Sequence, residues 1–388
     1  MRDPRRIRCT YYIEAVDVAR AAAALAGEQS SGTFIAVPGE SDRIRERHAA
    51  EVVEIRELGE CAPSLPSRRR PEQVTAAEVV VEFPMVNIGT DIATLLTAVA
   101  GNLFELVELY ACRLQSIELP DEFIAAHPGP AFGVAGTRTL MGVPDGVLIG
   151  TIVKPNVGLV EDEFRGVVRE LARASIDLIK DDELMTDPAY LPLETRVRVA
   201  LEEIGYAEQV TGHRTMYAFN ITGDLAGLQR RHDLVVEAGG NCVMLNVPVM
   251  GLPALAWLRG FAQVPVHGHR AGLAASMRSP ALGVDFTVWQ HWPDWPVPTT
   301  STPAGWAASS TSGTRRSRST SAACRRRWGP RSPHSRRCRP GRTCTHRVRP
   351  SRRWGRPTCS CWPAVGLPPT RTGRPPVSAA CARRGPRR

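Results

Sequence analysis

The sequence predicts an α/β protein with a small amino-terminal α+β domain of the ferredoxin-like type, followed by a (β/α)8 TIM barrel of which only strands 1–5 are recognisable. Three observations lead to this prediction. Strand-like and helix-like segments are mixed up to about residue 125, they alternate strictly up to residue 290, and apolar periodicity is then lost. We therefore assign 1–125 to the α+β domain, 126–290 to a partial barrel and 291–388 to an Arg/Pro-rich tail that we expect to be disordered.

The amino-terminal domain is predicted from short segments of both types. Runs rich in β-branched and aromatic residues indicate strands, and apolar residues at 3.6-residue spacing indicate helices. The strand-like runs are 9–16, 33–38, 50–55 and 78–86, and the helix-like runs are 18–29 and 91–104. Mixed elements with short connections are typical of α+β architecture.

Five β/α units follow the Pro/Gly-rich link AAHPGPAFGVAG at 125–136. Each unit has an apolar run that turns polar at its carboxyl end. The runs are 146–155, 175–183, 215–222, 241–248 and 264–272. Such repetition predicts a parallel sheet with both faces covered by helices. In a barrel the chemistry lies at the carboxyl ends of the strands, so those ends are where a site is expected.

Polar residues at four of these strand ends form the candidate site. They are Lys154 with Asn156, the run KDDE at 180–183, Asn220, and the run HGHR at 267–270. The KDDE run alone is typical of a solvent-exposed charged segment, and the His-Arg pair could equally begin a helix. Four clusters at the same end of successive strands favour a functional site.

The residue types in these clusters suit one kind of chemistry. Asp182 and Glu183 offer hard oxygen ligands, which Mg²⁺ prefers. A metal ion there could polarise a ketone oxygen and ease removal of a neighbouring carbon-bound proton. Lys154, partly desolvated near other cations, could act as an acid or a base. Arg270 with a histidine is a candidate phosphate clamp.

The motifs GTIVKPNVGL, IDLIKDDE, YAFNITGD and HGHRAG resemble, in order and spacing, the barrel motifs of the ribulose-bisphosphate carboxylase (RuBisCO) large-subunit superfamily. The segments LAGEQSSGTF and AVAGNLFEL are similar to the two segments that a neighbouring subunit contributes to each active site of that family. The resemblance covers about residues 8–290. It implies active sites shared between subunits, and therefore at least a homodimer.

The resemblance also implies roles for individual residues. Lys180 would take up CO₂ as a carbamate, and this carbamate would bind Mg²⁺ together with Asp182 and Glu183. Lys154 would transfer protons, and His269 would face the substrate as a catalytic residue. The implied substrate- and phosphate-binding residues are Arg270 and Asn220 in the barrel, and Glu28, Thr33 and Asn102 reaching in from the partner chain.

Two departures from the family pattern point to a particular branch. Carboxylases have a second lysine where this chain has Asn156, and a final histidine where it has Leu273. Losing these groups while keeping the enolisation apparatus implies a RuBisCO-like protein (form IV), which forms an enolate or enediolate from a phosphorylated keto sugar or keto acid. A decarboxylase or isomerase is favoured, and a methionine-salvage enolase or a ribulose-bisphosphate carboxylase stays open.

The tail differs in composition from the rest of the chain. Residues 291–388 contain 22 of the 49 basic residues and one of the 39 acidic residues, and no strand-like run. Reading one base back through residues 291–296, HWPDWP, forces the pattern L-A-x-L-A whatever codons are used. With ordinary synonymous codons, 292–312 and 359–376 can be read back as barrel-like motifs. We interpret the tail as the product of a frameshift near codon 290, which would leave the barrel open and the chain with little activity.

The composition of the tail raises two other classes of function. A nucleic-acid-binding arm would use its arginines on phosphates, but they show no periodic spacing and the tail has no lysine. A zinc module would use the six cysteines between 324 and 381, whose spacings match no paired-ligand pattern.

The location is predicted from what the sequence lacks. No run of eighteen apolar residues indicates a membrane span, and the amino terminus has no apolar secretory segment. Four scattered cysteines in residues 1–290 fit a reducing compartment. We expect a cytoplasmic protein.

Overall fold

The computed structural model describes residues 5–31, 39, 41–67 and 71–290. Three predictions lie outside these residues: the strand at 33–38, the position of Thr33 and the disorder of 291–388. The described strands, numbered in chain order, are β1 (Arg6–Ala15), β2 (Glu51–Cys61), β3 (Val74–Pro84), β4 (Ala111–Glu118), β5 (Gly150–Ile152), β6 (Leu178–Lys180), β7 (Met216–Asn220), β8 (Cys242–Asn246), β9 (Val266–His269) and β10 (Leu282–Val284).

The described α-helices are α1 (Val18–Glu28), α2 (Asp42–His48), α3 (Ile92–Ala100), α4 (Asp121–Ala125), α5 (Gly133–Met141), α6 (Glu161–Arg173), α7 (Leu193–Thr211), α8 (Leu228–Glu237), α9 (Val247–Met250), α10 (Leu252–Arg259), α11 (Ala274–Met277) and α12 (Phe286–Gln290). Short 3₁₀ turns occupy Met85–Asn87 and Asn102–Glu105. Among the described helices, none combines the length and the apolar character that crossing a membrane requires.

The amino-terminal sheet is antiparallel around β1, which pairs with β3 on one side and β4 on the other. Alternate residues of β1, namely Cys9, Tyr11 and Ile13, are fully buried. They face a core that includes Leu25 of α1 and Leu95 of α3. The period-two burial follows from the pleat, which sends successive side chains to opposite faces. This part of the predicted α+β architecture is confirmed.

The second sheet is a parallel half-barrel with the strand order β5-β6-β7-β8-β9. Helices α6, α7, α8 and α10 connect its strands in turn. Every residue of β7 and β8 is buried, as expected for strands covered on both faces. The strand predicted over 146–155 is shortened to β5 because only Gly150–Ile152 pair with β6, while Val147 and Ile149 face solvent.

One strand joins the two parts of the fold and was not predicted. Within the residues assigned to the barrel, β10 pairs in parallel with β4 and becomes the outer strand of the amino-terminal sheet. Arg113 of β4 strengthens the contact, because its guanidinium donates to the carbonyl oxygens of Met277 and Ser279 and lies 3.0 Å from Asp285 Oδ2. The segment after β9 is therefore tied to the amino-terminal sheet.

Helix α5 closes the amino-terminal end of the half-barrel. Its last residue, Met141, packs with Leu178, Met216 and Cys242, the first residues of three consecutive strands. The link predicted over 125–136 is shorter in the structure, because this helix begins at Gly133. With this end covered by apolar side chains, the polar strand ends lie at the opposite end of the sheet.

Candidate functional site

Four neighbouring parallel strands each end on a polar residue. β6 ends at Lys180, β7 at Asn220, β8 at Asn246 and β9 at His269. All four are buried, so none is an ordinary solvated strand end. Because the strands are parallel and paired in register, these residues line one edge of the half-barrel.

Lys180 carries a buried amine at the centre of this edge. Its Nζ donates to the Asp181 carbonyl oxygen at 2.9 Å, contacts Met244 Sδ at 3.9 Å and lies 3.7 Å from Glu183 Oε2. Burial lowers the pKa of the amine, and the negative charges of Glu183 and Asp182 partly oppose this effect. A lowered pKa increases the share of the unprotonated amine, which is the form that reacts with CO₂.

Lys154 and Asp182 form an ion pair at the mouth of the site. Lys154 Nζ lies 2.6 Å from Asp182 Oδ2 and also donates to Asn156 Oδ1 at 2.8 Å. The Asp182 side chain is fully buried, while the Lys154 side chain is 54% exposed. The lysine can therefore exchange protons with solvent while its amine stays beside the buried carboxylate.

Lys154 and Lys180 are the only lysines in the chain, and the other 47 of the 49 Lys and Arg residues are arginines. Lysine and arginine differ chemically, because a buried lysine can lose its proton and react as a nucleophile whereas arginine stays charged. The two side chains able to do lysine chemistry are thus both at this edge.

Glu183 connects the lysine to His269. Its Oε2 lies 3.5 Å from His269 Nε2, and burial followed by the charge of Lys180 lowers the pKa of the imidazole. The other ring nitrogen, His269 Nδ1, is buried and has no hydrogen-bond partner among the described residues. The histidine is positioned from one side and keeps its second nitrogen for another contact.

Asp181 differs from its neighbours because it supports the site from behind. Its carboxylate accepts hydrogen bonds from Arg196 Nε at 2.9 Å, Tyr217 OH at 2.6 Å and the Asn220 backbone N–H at 2.8 Å. Arg196 and Asp181 have no exposed side-chain surface. Burial is the largest cause, and the Asp181 charge the next, of a Tyr217 pKa well above its ordinary value. The phenol therefore stays protonated and acts as a hydrogen-bond donor to Asp181.

Asn220 holds the loop that carries the two candidate metal ligands. Its Nδ2 donates to the carbonyl oxygens of Asp182 at 3.2 Å and Glu183 at 3.3 Å, and its Oδ1 accepts from the Thr222 N–H at 3.1 Å. Asn220, predicted to bind substrate, therefore uses its side chain on backbone groups of the site.

Arg270 follows β9 directly, and its guanidinium packs against an aromatic ring. Its guanidinium lies 5.2 Å from the ring centroid of Phe286, within the range of a cation–π contact. Phe286 is adjacent to Asp285, which Arg113 holds. The amino-terminal sheet therefore helps to fix the position of the predicted phosphate-binding arginine.

Glu28 and Asn102 lie apart from these strand ends. Both line a cavity of about 540 Å³ whose lining, among the described residues, comes entirely from the amino-terminal part of the chain. Glu28 and Asn102, both predicted to serve the partner chain's site, therefore line the same cavity. The third such residue, Thr33, lies outside the described residues.

The donor set can be compared with what a magnesium ion requires. Across the part of the chain that the structure describes, no group of three or more His, Cys, Asp or Glu side chains could hold a metal ion. Asp182 and Glu183 provide two carboxylates, and a carbamate on Lys180 would add a third hard oxygen donor. The residues fit Mg²⁺ if Lys180 is carbamylated.

Sequence reasoning missed Asn246 and Arg196. Asn246 ends the apolar run CVMLN in the same way that Asn220 ends MYAFN, and this parallel could have identified it. Arg196 lies in the charged segment LETRVRV, and no sequence pattern distinguishes it from Arg198, which is half exposed.

Two family models match this chain. The model described as the ribulose bisphosphate carboxylase large chain, N-terminal domain, matches residues 2–123. The model described as the catalytic domain of the same chain matches residues 133–294.

Individual relatives agree with these models. The 3-oxo-isoapionate-4-phosphate transcarboxylase/hydrolase of Xanthobacter autotrophicus is 44% identical over 288 residues, which cover 74% of this chain and 70% of the relative. The 3-oxo-isoapionate-4-phosphate decarboxylase of Rhizobium etli is 40% identical over 288 residues, covering 74% and 69%.

Solved structures show the same fold. A rubisco-like protein from Burkholderia fungorum has a TM-score of 0.68 and 40% identity, covering 74% of this chain and 69% of that one. The octameric RuBisCO of Pyrococcus horikoshii has a TM-score of 0.67 and 29% identity, covering 74% and 66%.

Proposed function

Because this chain belongs to the ribulose bisphosphate carboxylase large-chain family, among its RuBisCO-like proteins, we propose that it is built for Mg²⁺-dependent decarboxylation of a phosphorylated 3-oxo acid. One observation carries the proposal: the buried Lys180 amine lies 3.7 Å from the Glu183 carboxylate, in a site whose other carboxylate, Asp182, contacts Lys154. A lysine in such a position can react with CO₂ and complete a set of oxygen ligands.

Bound Mg²⁺, held by the Lys180 carbamate, Asp182 and Glu183, would polarise the ketone oxygen of the substrate. Carbamylation joins the Lys180 nitrogen to the carbon of CO₂ and releases one proton from the amine. Starting from the protonated lysine, a second proton leaves, so that a positive charge becomes a negative one. The carbamate would add a third negative charge beside Asp182 and Glu183, which a bound divalent cation would offset.

The chain's own residues then carry the decarboxylation. In a 3-oxo acid, the bond between the carboxylate carbon and its neighbour breaks, CO₂ leaves, and the electron pair enters the ketone as an enolate. Lys154 Nζ donates a proton to the enolate carbon and regains one from solvent through its exposed side. Arg270 binds the phosphate, and His269 contacts the substrate with its second ring nitrogen.

The relatives favour decarboxylation within this chemistry. Proteins 40% and 44% identical to this chain are described as a decarboxylase and a transcarboxylase/hydrolase of 3-oxo-isoapionate 4-phosphate. The same substrate is our candidate. Asn156 and Leu273, which replace the second lysine and the last histidine of the carboxylase motifs, fit a reaction that releases CO₂.

We also propose that the active form is at least a homodimer. Glu28 and Asn102 line a cavity away from the strand ends of their own chain, as expected of residues that serve a partner's site. With Thr33, they would complete the substrate pocket across the subunit boundary.

The carbamate is tested with the two lysines. In ¹³CO₂ and Mg²⁺, we expect one carbamate resonance in the ¹³C NMR spectrum of the chain, retained in Lys154→Arg and lost in Lys180→Arg. Both variants keep the positive charge, so they are matched controls for each other. A resonance that persists in Lys180→Arg would place the CO₂ elsewhere and contradict the proposed ligand set.

The frameshift remains a proposal for residues 291–388. The catalytic-domain match stops at residue 294, close to where the forced L-A-x-L-A pattern begins. Sequencing the gene around codon 290 decides between a sequencing error and a true frameshift.

A further inference from the structure

We propose that Asn246 is a substrate-binding residue whose side-chain oxygen accepts a hydrogen bond from a hydroxyl group of the substrate. The proposal rests on the proposed function, because it places Asn246 in the same site, and it adds a requirement for a hydroxylated substrate. It stands on the position, burial and hydrogen bonding of one side chain.

The position of Asn246 directs its side chain into the mouth of the half-barrel. It is the last residue of β8 and pairs in register with His269 of β9. It lies two residues after Met244, whose sulfur contacts the Lys180 amine. Residues two apart in a strand share a face, so Asn246 lies above Met244 on the face that carries Lys180.

The Asn246 side chain is buried while its oxygen lacks a hydrogen-bond donor among the described residues. Asn246 is only 6% exposed, and its Oδ1 has no hydrogen-bond partner among the described residues. An asparagine just before a helix usually caps it, yet here the side chain makes no capping bond to α9. The backbone is fixed, because the Asn246 N–H donates to Thr222 Oγ1 at 2.9 Å. A buried acceptor without a donor destabilises the free protein, which is typical of groups retained for function.

The missing partner is defined by hydrogen-bond chemistry. An amide oxygen only accepts, so it does not bind a phosphate or a carboxylate oxygen, and it binds a group with a hydrogen to donate. His269 Nδ1, on the paired residue, is also buried without a partner among the described residues. Because His269 Nε2 faces the Glu183 carboxylate, the neutral ring carries its hydrogen on that nitrogen and Nδ1 is an acceptor as well. One substrate hydroxyl therefore satisfies Asn246, and His269 needs a second donor group.

The test replaces Asn246 by leucine, which has a similar size and no polar atom. If Asn246 binds the substrate, removing its unsatisfied oxygen raises the Tm of the ligand-free full chain by about 2 °C or more. The same change weakens binding of 3-oxo-isoapionate 4-phosphate by about 10-fold, measured by isothermal titration with Mg²⁺ present. A residue that only supports the fold would give the opposite result, with a lower Tm and unchanged affinity.

Asn241→Leu is the matched control. Asn241 lies just before the other end of β8, where its Oδ1 accepts from the Tyr217 N–H at 3.0 Å and its Nδ2 donates to the Thr215 carbonyl oxygen at 3.3 Å. Because these bonds are made within the fold, we expect this variant to lose Tm and keep its substrate affinity.

Substrate analogues identify the hydroxyl group. In a series in which each hydroxyl in turn is replaced by hydrogen, one analogue binds wild type and Asn246→Leu equally, since it has already lost the contact. If every analogue keeps the 10-fold difference, or if the parent compound shows none, the inference is wrong while the proposed function stands. If neither wild type nor the chain with its reading frame restored after codon 290 binds any phosphorylated 3-oxo acid, both proposals fall.

Discussion

Replacing Arg196 by methionine leaves the buried carboxylate of Asp181 without its cation. Both side chains have no exposed surface, and the Arg196 Nε to Asp181 Oδ2 distance is 2.9 Å. The change also removes hydrogen bonds to the carbonyl oxygens of Leu191 and Thr186. Breaking a buried pair on one side costs about 3–5 kcal/mol.

Two features of the structure place the loss within this range. Asp181 keeps its donors from Tyr217 OH and the Asn220 N–H, and these favour the lower end. The two backbone carbonyls lose a donor, which favours the upper end. The double variant Asp181→Asn with Arg196→Met removes both charges, and we expect it to recover about half of the loss.

The assay is equilibrium unfolding of the full chain in urea, followed by tryptophan fluorescence. Arg198→Met is the control, because Arg198 lies on the same helix with its side chain 50% exposed and its ion pairs among the described residues are with the exposed Glu161 and Glu202. Its loss should stay below about 1 kcal/mol. An Arg196→Met protein within 1 kcal/mol of wild type would refute the assignment of Asp181 as a charged, buried support.

Two further predictions concern pH and the reading frame. Burial, and then the charge of Lys180, lowers the pKa of His267 to about 3. Below about pH 6.5 this histidine is therefore protonated in the unfolded chain and stays neutral in the folded chain until about pH 3. The free energy of unfolding should therefore fall by about 1.4 kcal/mol for each pH unit from 6.5 to 3 relative to His267→Gln, and parallel pH profiles of the two proteins would contradict this. Restoring the reading frame after codon 290 should raise the Tm and produce Mg²⁺-dependent CO₂ release from 3-oxo-isoapionate 4-phosphate, whereas unchanged stability and activity would count against a frameshift.

The polar strand ends could be predicted because each is a break in an apolar pattern. Lys180 and His269 interrupt runs that otherwise read as buried strands, and this contrast is local in the sequence. The difference in contacts between Asp181 and Asp182 does not follow from the local sequence. It depends on Arg196 and Tyr217, which approach from another helix and another strand, so the two adjacent aspartates cannot be told apart in the sequence.

The amino-terminal sheet shows the same limit on a larger scale. β1 and β3 were predicted from the runs of β-branched and aromatic residues at 9–16 and 78–86, which are local in the sequence. β4 alternates less regularly because the pairing shifts at a bulge between Thr10 and Tyr11 of its partner. β10 has three residues and is a strand only because β4 lies beside it, so its pairing comes from tertiary structure and not from local propensity.

The confinement of lysine to two positions gives the chain a chemical selectivity that its fold alone would not provide. Dissolved CO₂ reacts reversibly with any unprotonated amine, and a surface rich in lysine would offer it many competing positions. Here the cations outside the site are arginines, which do not lose their protons. If Lys180 forms the proposed carbamate, the other amines open to CO₂ would be the α-amino group and Lys154, and of the two lysines only Lys180 is shielded from water. The composition would then limit a general reaction of amines to three nitrogen atoms.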